Sequence, residues 1–91
     1  MNVKYSKSYL NKLEDLFSES NFNLRYEKGN FKSGYCVLND VNVVIINKYY
    51  SLEGKISCIL EILRDVKIDT SGFTDKSLKL YNELTQTKLE L

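Results

Sequence analysis

The sequence predicts an α+β domain ordered α-β-β-β-α-α, with a three-stranded antiparallel meander packed against helices. Three observations predict it. Apolar residues recur at helical spacing over residues 8–19 and again over 52–66. Between them lie three short strand-like runs, at 22–27, 34–38 and 42–48. The connections between those runs are too short for parallel crossovers, which favours antiparallel neighbours.

Each element has its own justification. Tyr9, Leu10, Leu13, Leu16 and Phe17 make one stripe of the first helix, with Asn11, Lys12, Glu14 and Asp15 opposite, and Ser20 and Asn21 close it. Residues 22–27 alternate: Phe22, Leu24 and Tyr26 face one way, Asn23, Arg25 and Glu27 the other. The stretch KGNFKSG holds two of the four glycines and reads as a solvated loop. GYCVL at 34–38 forms a second strand, and Asn39-Asp40 turns the chain into a third. Within that third strand Val43 to Ile46 is apolar on both faces, so either both faces are covered or one meets another chain.

Ser51 is placed to cap the second helix, with Glu53 in its first turn. Leu52, Ile56, Ile59, Leu60 and Leu63 form its apolar stripe, widened by Cys58 and Ile62. Lys67 to Phe73 reads as a loop. Thr74 and Asp75 open a last helix that carries Leu78, Tyr81 and Leu84 toward the core, and Gln86 to Leu91 are expected to fray. The 91 residues form a single globular domain, 1–91, without repeat, linker or low-complexity segment.

Composition narrows the chemistry. There is no histidine, which removes the commonest general acid/base and metal ligand. A net charge of +1 gives no general drive toward nucleic acid or anionic membrane. The longest apolar run, Val43 to Ile46, is far too short to cross a bilayer, and the N-terminal stretch lacks the apolar core of a signal peptide. Cys36 and Cys58 sit in apolar surroundings without metal-like spacing, so both are expected to be buried, reduced thiols of a cytoplasmic protein. A bridge between them, strand to helix, is the alternative.

The stretch GYCVLNDVNVVIINKYYSLEGKISCILEIL resembles the core of small zinc peptidases of the ImmA/IrrE type. Those run a short helix, a hairpin, an edge strand ending near an Asn, and a helix bearing HExxH. Aligning the helices sets Leu60-Glu61-Ile62-Leu63-Arg64 under that motif. Glu61 would match the general base, but Leu60 and Arg64 replace both histidines, and neither binds zinc. The resemblance therefore implies a catalytically dead scaffold. The stretches YEKGNFKSGYC and VVIINKYYSLEGKI also resemble a small, uncharacterised bacterial family of about this length, which implies no activity.

Other catalytic patterns fail as well. There is no GxGxxG, no GxxxxGK[ST] and no GxSxG. KGNFKSG lies between strands and opens no helix, so it lacks the dipole that makes such loops phosphate sites. Glu14 and Asp15 are adjacent on a polar helix face and read as solubilising. A nucleophilic Cys36 would need a cation such as Arg25 or Lys32 beside it. No catalytic residue, cofactor or metal is expected.

Two binding readings remain. Arg25, Lys28, Lys32 and Lys48 interleave with Tyr26, Phe31, Tyr35, Tyr49 and Tyr50, which is how some sheets hold single-stranded nucleic acid. Tyr26, however, alternates onto the core side, and Glu27 and Asp40 dilute the charge. The leading expectation is a non-catalytic protein-interaction or regulatory module that pairs with itself as a homodimer or with another protein. Its expected interface is the doubly apolar strand, at Val44 and Ile46, with Tyr49 and Tyr50 at its exit.

Overall fold

A computed structural model describes residues 5–86. The elements are α1 (Lys7–Ser18), β1 (Phe22–Glu27), β2 (Gly34–Leu38), β3 (Val41–Asn47), α2 (Leu52–Asp65) and α3 (Asp75–Gln86). The α+β order α-β-β-β-α-α is as the periodicities predict. The expected fraying concerns, beyond Gln86, residues outside the described range.

The sheet itself is mixed, and this corrects the antiparallel meander. Its order is β1-β3-β2: β1 runs parallel to β3, with Leu24 beside Val44, and β2 runs antiparallel to β3, with Cys36 beside Val43. A parallel pair needs a connection of a dozen or more residues. The chain supplies it by using β2 itself as part of the crossover, so that residues 28–40 separate β1 from β3. Loop 28–33 passes over the end of β3, crossing two strand spacings of about 5 Å each. β2 then returns along the far side of β3, and a two-residue turn feeds the chain into the middle. That turn holds Asn39 at φ 50° and Asp40 at φ 65°, the two left-handed positions that match the twist of a tight hairpin.

The buried Asn47 receives the crossing loop. Its carboxamide nitrogen donates to the carbonyls of Gly29 at 3.0 Å and Phe31 at 2.7 Å, and its oxygen accepts from the Tyr49 backbone at 3.0 Å. The Asn47 backbone N–H donates to Ser33 Oγ at 2.9 Å. A Cβ at Gly29 would lie 2.8 Å from the Phe31 ring, so any other residue would have to displace that ring.

The core lies between the sheet and the helices. α1 packs on β1, α2 on β3 and more lightly on β2, and α3 on α1. Leu13, Leu16, Phe17, Val44, Ile46, Ile56, Ile59, Leu63 and Leu84 are fully buried there. Each contributes roughly 1.5–3 kcal/mol by leaving water. The five predicted core residues of α1 are all buried. In α2 the predicted Ser51 cap accepts from Gly54 N–H at 3.1 Å, and only Leu52, 36% exposed, leaves the predicted stripe. In α3 the buried line runs through Ser77, half-buried Leu80 and Tyr81, and Leu84, while Leu78 is exposed. α3 docks on α1 rather than on the sheet, which rotates its inward face from the one expected.

Candidate functional site

Strand order decides which apolar residues reach the surface. β3 is central, so both its edges are hydrogen-bonded, and Val44 and Ile46 are fully buried against the helices. They belong to the core, not to an interface. The strand therefore offers no free edge, contrary to the sequence expectation. Tyr49 is 71% exposed and Tyr50 half-buried, just beyond the end of β3.

The free edges belong to β1 and β2. β1 is well protected: Arg25 and Glu27 project charges from it, and Ser20 Oγ accepts from the Phe22 N–H at 3.0 Å. Glu14 and Ser18 of α1 wall the shallow groove beside it. There the Tyr26 hydroxyl donates to Glu14 Oε2 at 2.5 Å, and Lys55 Nζ stands 5.5 Å from the Tyr26 ring centroid. Burial, reinforced by the Glu14 hydrogen bond and charge, raises the Tyr26 hydroxyl well above the ordinary tyrosine value. Glu14 is thus tied to the sheet and does more than solubilise α1.

β2 has no such protection. Its sequence, GYCVL, carries no charge and no proline, and Tyr35, Cys36, Val37 and Leu38 are all exposed. Val37 is 65% exposed, more than any other aliphatic residue among the exposed large hydrophobics described. Cys36 is exposed rather than buried, because it sits on the edge strand and, beside Val43, on the sheet face opposite Val44 and the helices. Cys58 is half-buried against the core on the other side, so the sheet separates the two thiols and both are free. Beside β2 on the same face lie Val41 and Ile45.

The main-chain polarity of β2 follows from β3. Lys48 N–H donates to the Glu27 carbonyl, so even-numbered positions of β3 point their backbone groups at β1. Asn47 N–H donates toward Ser33, so odd-numbered positions point at β2. Val41, Val43 and Ile45 therefore bond Leu38, Cys36 and Gly34, and the backbone N–H and C=O of Tyr35 and Val37 face outward.

Arg25, Lys28, Lys32 and Lys48 come to one end of the sheet, where β1 and β3 finish and loop 28–33 crosses. All four are exposed. The sheet face that carries Arg25 supplies no aromatic platform, although exposed Tyr49 follows Lys48 at that end and half-buried Phe31 lies in the crossing loop between Lys28 and Lys32. On the face that carries Arg25 the strands place Asn23, Glu27, Cys36, Leu38, Val41, Val43 and Ile45, none aromatic, while Tyr26 and Tyr35 lie on the opposite face.

The positions aligned with the zinc-peptidase motif all lie on α2. Leu60 is buried in the core and Glu61 and Arg64 are exposed on α2. The described residues contain no group of three or more Cys, Asp or Glu able to hold a metal ion. The strand leading into α2 is central rather than at an edge. No helix among the described residues is long and apolar enough to cross a membrane.

Between α1 and β1, the carboxylate of Glu19 accepts from the Thr74 N–H at 2.8 Å and the Thr74 hydroxyl at 3.1 Å. The Thr74 backbone bond, aided by Ser77, holds this carboxyl below its usual range. It clasps the start of α3 to α1 and is structural.

An uncharged run bounded by charges, Lys32 before GYCVL and Asp40 after it, was readable in the sequence. Its position at an edge was not. No protein-family model, no curated protein and no solved structure matches the chain.

Proposed function

We propose that this chain is a non-catalytic protein-interaction module that associates with a second copy of itself. The observation that carries this reading is the free edge of β2, an uncharged strand with four consecutive exposed residues. Unpaired backbone groups on an apolar edge are a template for another strand, and folded proteins ordinarily blunt such edges with charge, proline or a bulge. β1 follows that rule and β2 does not. An edge kept open in this way fits recognition by strand addition, in which main-chain hydrogen bonds give affinity and alternate side chains give specificity.

Light scattering coupled to size-exclusion chromatography over a hundredfold dilution tests the reading. The expected result is a mass approaching twice 10.6 kDa at the concentrated end, falling toward a single chain on dilution. A single-chain mass at every concentration overturns self-association.

A further inference from the structure

We infer that two copies join β2 to β2 in an antiparallel register with Cys36 on the two-fold axis, making one continuous six-stranded sheet. The inference rests on the self-association proposed above and adds its surface, its register and its chemistry.

Only one register uses the whole strand. Antiparallel pairing about Cys36 sets Gly34 opposite Leu38 of the second copy and Tyr35 opposite Val37. The outward-facing residues of β2 are Tyr35 and Val37, so each finds the other as a hydrogen-bonded pair, and their amides and carbonyls are all satisfied. Moving the axis to Tyr35 or Val37 leaves part of the strand unpaired. The Cys36 axis also stacks an aromatic against a β-branched side chain twice, on the face toward the helices, a favourable cross-strand combination.

Charge complementarity selects the second copy as the occupant. β2 has Lys32 two residues before its first residue and Asp40 two residues after its last, both exposed. Reversal about Cys36 brings Lys32 of each copy to the end occupied by Asp40 of the other. An antiparallel partner of identical sequence thus meets opposite charge at both ends, while the interior of the pairing carries none. On the other face the register extends the exposed apolar row of Leu38 and Val41 across the axis. A five-residue edge buries less than the roughly 1,200 Å² of a standard stable interface, so the dimer is a concentration-dependent one.

The register makes a covalent readout available. Cys36 and its copy form a non-hydrogen-bonded pair, whose Cα atoms lie about 4.5 Å apart, inside the range of about 4.4–6.8 Å that a disulfide spans. Diamide, a diazene, takes one hydrogen from each thiol to become a hydrazine and leaves the sulfurs bonded. The concentrated protein treated with diamide should give a covalent dimer through Cys36, retained in Cys58→Ser and absent in Cys36→Ser. Cys36→Ser should still show the dimer by mass.

Val37→Pro removes an N–H that points away from β3, so it should keep the monomer fold but abolish both the dimer and the cross-link. Val37→Lys, a charge on an exposed edge position, serves as the second such variant. Lys32→Glu should weaken the dimer about fivefold by replacing two attractive end contacts with repulsive ones. A single-chain mass at every concentration overturns both self-association and this register. A dimer by mass that fails to cross-link through Cys36, or that survives both Val37 variants, overturns the register alone.

Discussion

The Asn47 carboxamide donates to the Phe31 carbonyl at 2.7 Å, and through that bond the end of the central strand holds the loop that places β2. The same nitrogen reaches Gly29 at 3.0 Å. Asn47→Ala leaves those carbonyls without their donor in a buried setting and should destabilise the fold by about 1–3 kcal/mol in chemical denaturation. Asn47→Asp sets an acceptor against two acceptors and should cost more. Wild-type stability in either variant contradicts the role given to this residue.

Tyr26 gives the fold an alkaline limit. In the unfolded chain its hydroxyl ionises near pH 10, whereas burial and Glu14 keep it protonated in the folded chain well beyond that. The stability it confers is therefore complete below about pH 10 and falls as pH rises above that value. Tyr26→Phe should flatten this alkaline loss and cost about 1 kcal/mol at neutral pH, as measured by urea unfolding across pH. An unchanged alkaline slope in the variant contradicts the assignment.

Glu19 gives an acid limit of opposite sign. Its folded carboxyl is held below its ordinary value, so its clasp on α3 is complete above the unfolded value near pH 4.3 and lost as pH falls through the folded one. Amide protection in α3, corrected for the intrinsic exchange rate at each pH, should fall over that acid range while α2 stays protected. Glu19→Gln should remove the acid dependence, and an α3 whose protection follows α2 at every pH contradicts the clasp.

The elements were legible in the sequence because periodicity records which side of an element is buried. β1 and β2 stand at the predicted residues, and Ser51 caps α2 as its position implies. Strand order was not legible, because alternation reports faces and not neighbours. The doubly apolar run Val43 to Ile46 records covered faces instead: Val44 and Ile46 are buried toward the helices and Val43 is buried on the opposite face. The exposed residues of β2 carry no mark of their own in the sequence: GYCVL reads as a core strand until the topology puts it at an edge. Glu14 was hidden for a related reason, because its partner Tyr26 is brought to it by the packing of α1 on β1.

Asp40 separates the stability of one chain from the pairing of two. At φ 65° it occupies a left-handed position that glycine adopts without steric cost. Asp40→Gly should stabilise the single chain by up to about 1 kcal/mol. It also removes the charge that meets Lys32 of the second copy, so the dimer should weaken about threefold. Thermal melting of dilute protein and light scattering of concentrated protein read the two effects separately. A variant whose dimer is as strong as that of the natural chain contradicts the end-to-end charge pairing.

Amide hydrogen exchange on β2, residue by residue and at two concentrations, tests the central claim most directly. The N–H groups of Cys36 and Leu38 bond β3 and should be protected in dilute and concentrated protein alike. Those of Tyr35 and Val37 face outward and should exchange freely when dilute, then become protected as concentration rises. Free exchange at Tyr35 and Val37 at every concentration, in a sample that light scattering shows to be dimeric, would place the interface elsewhere and contradict pairing through β2.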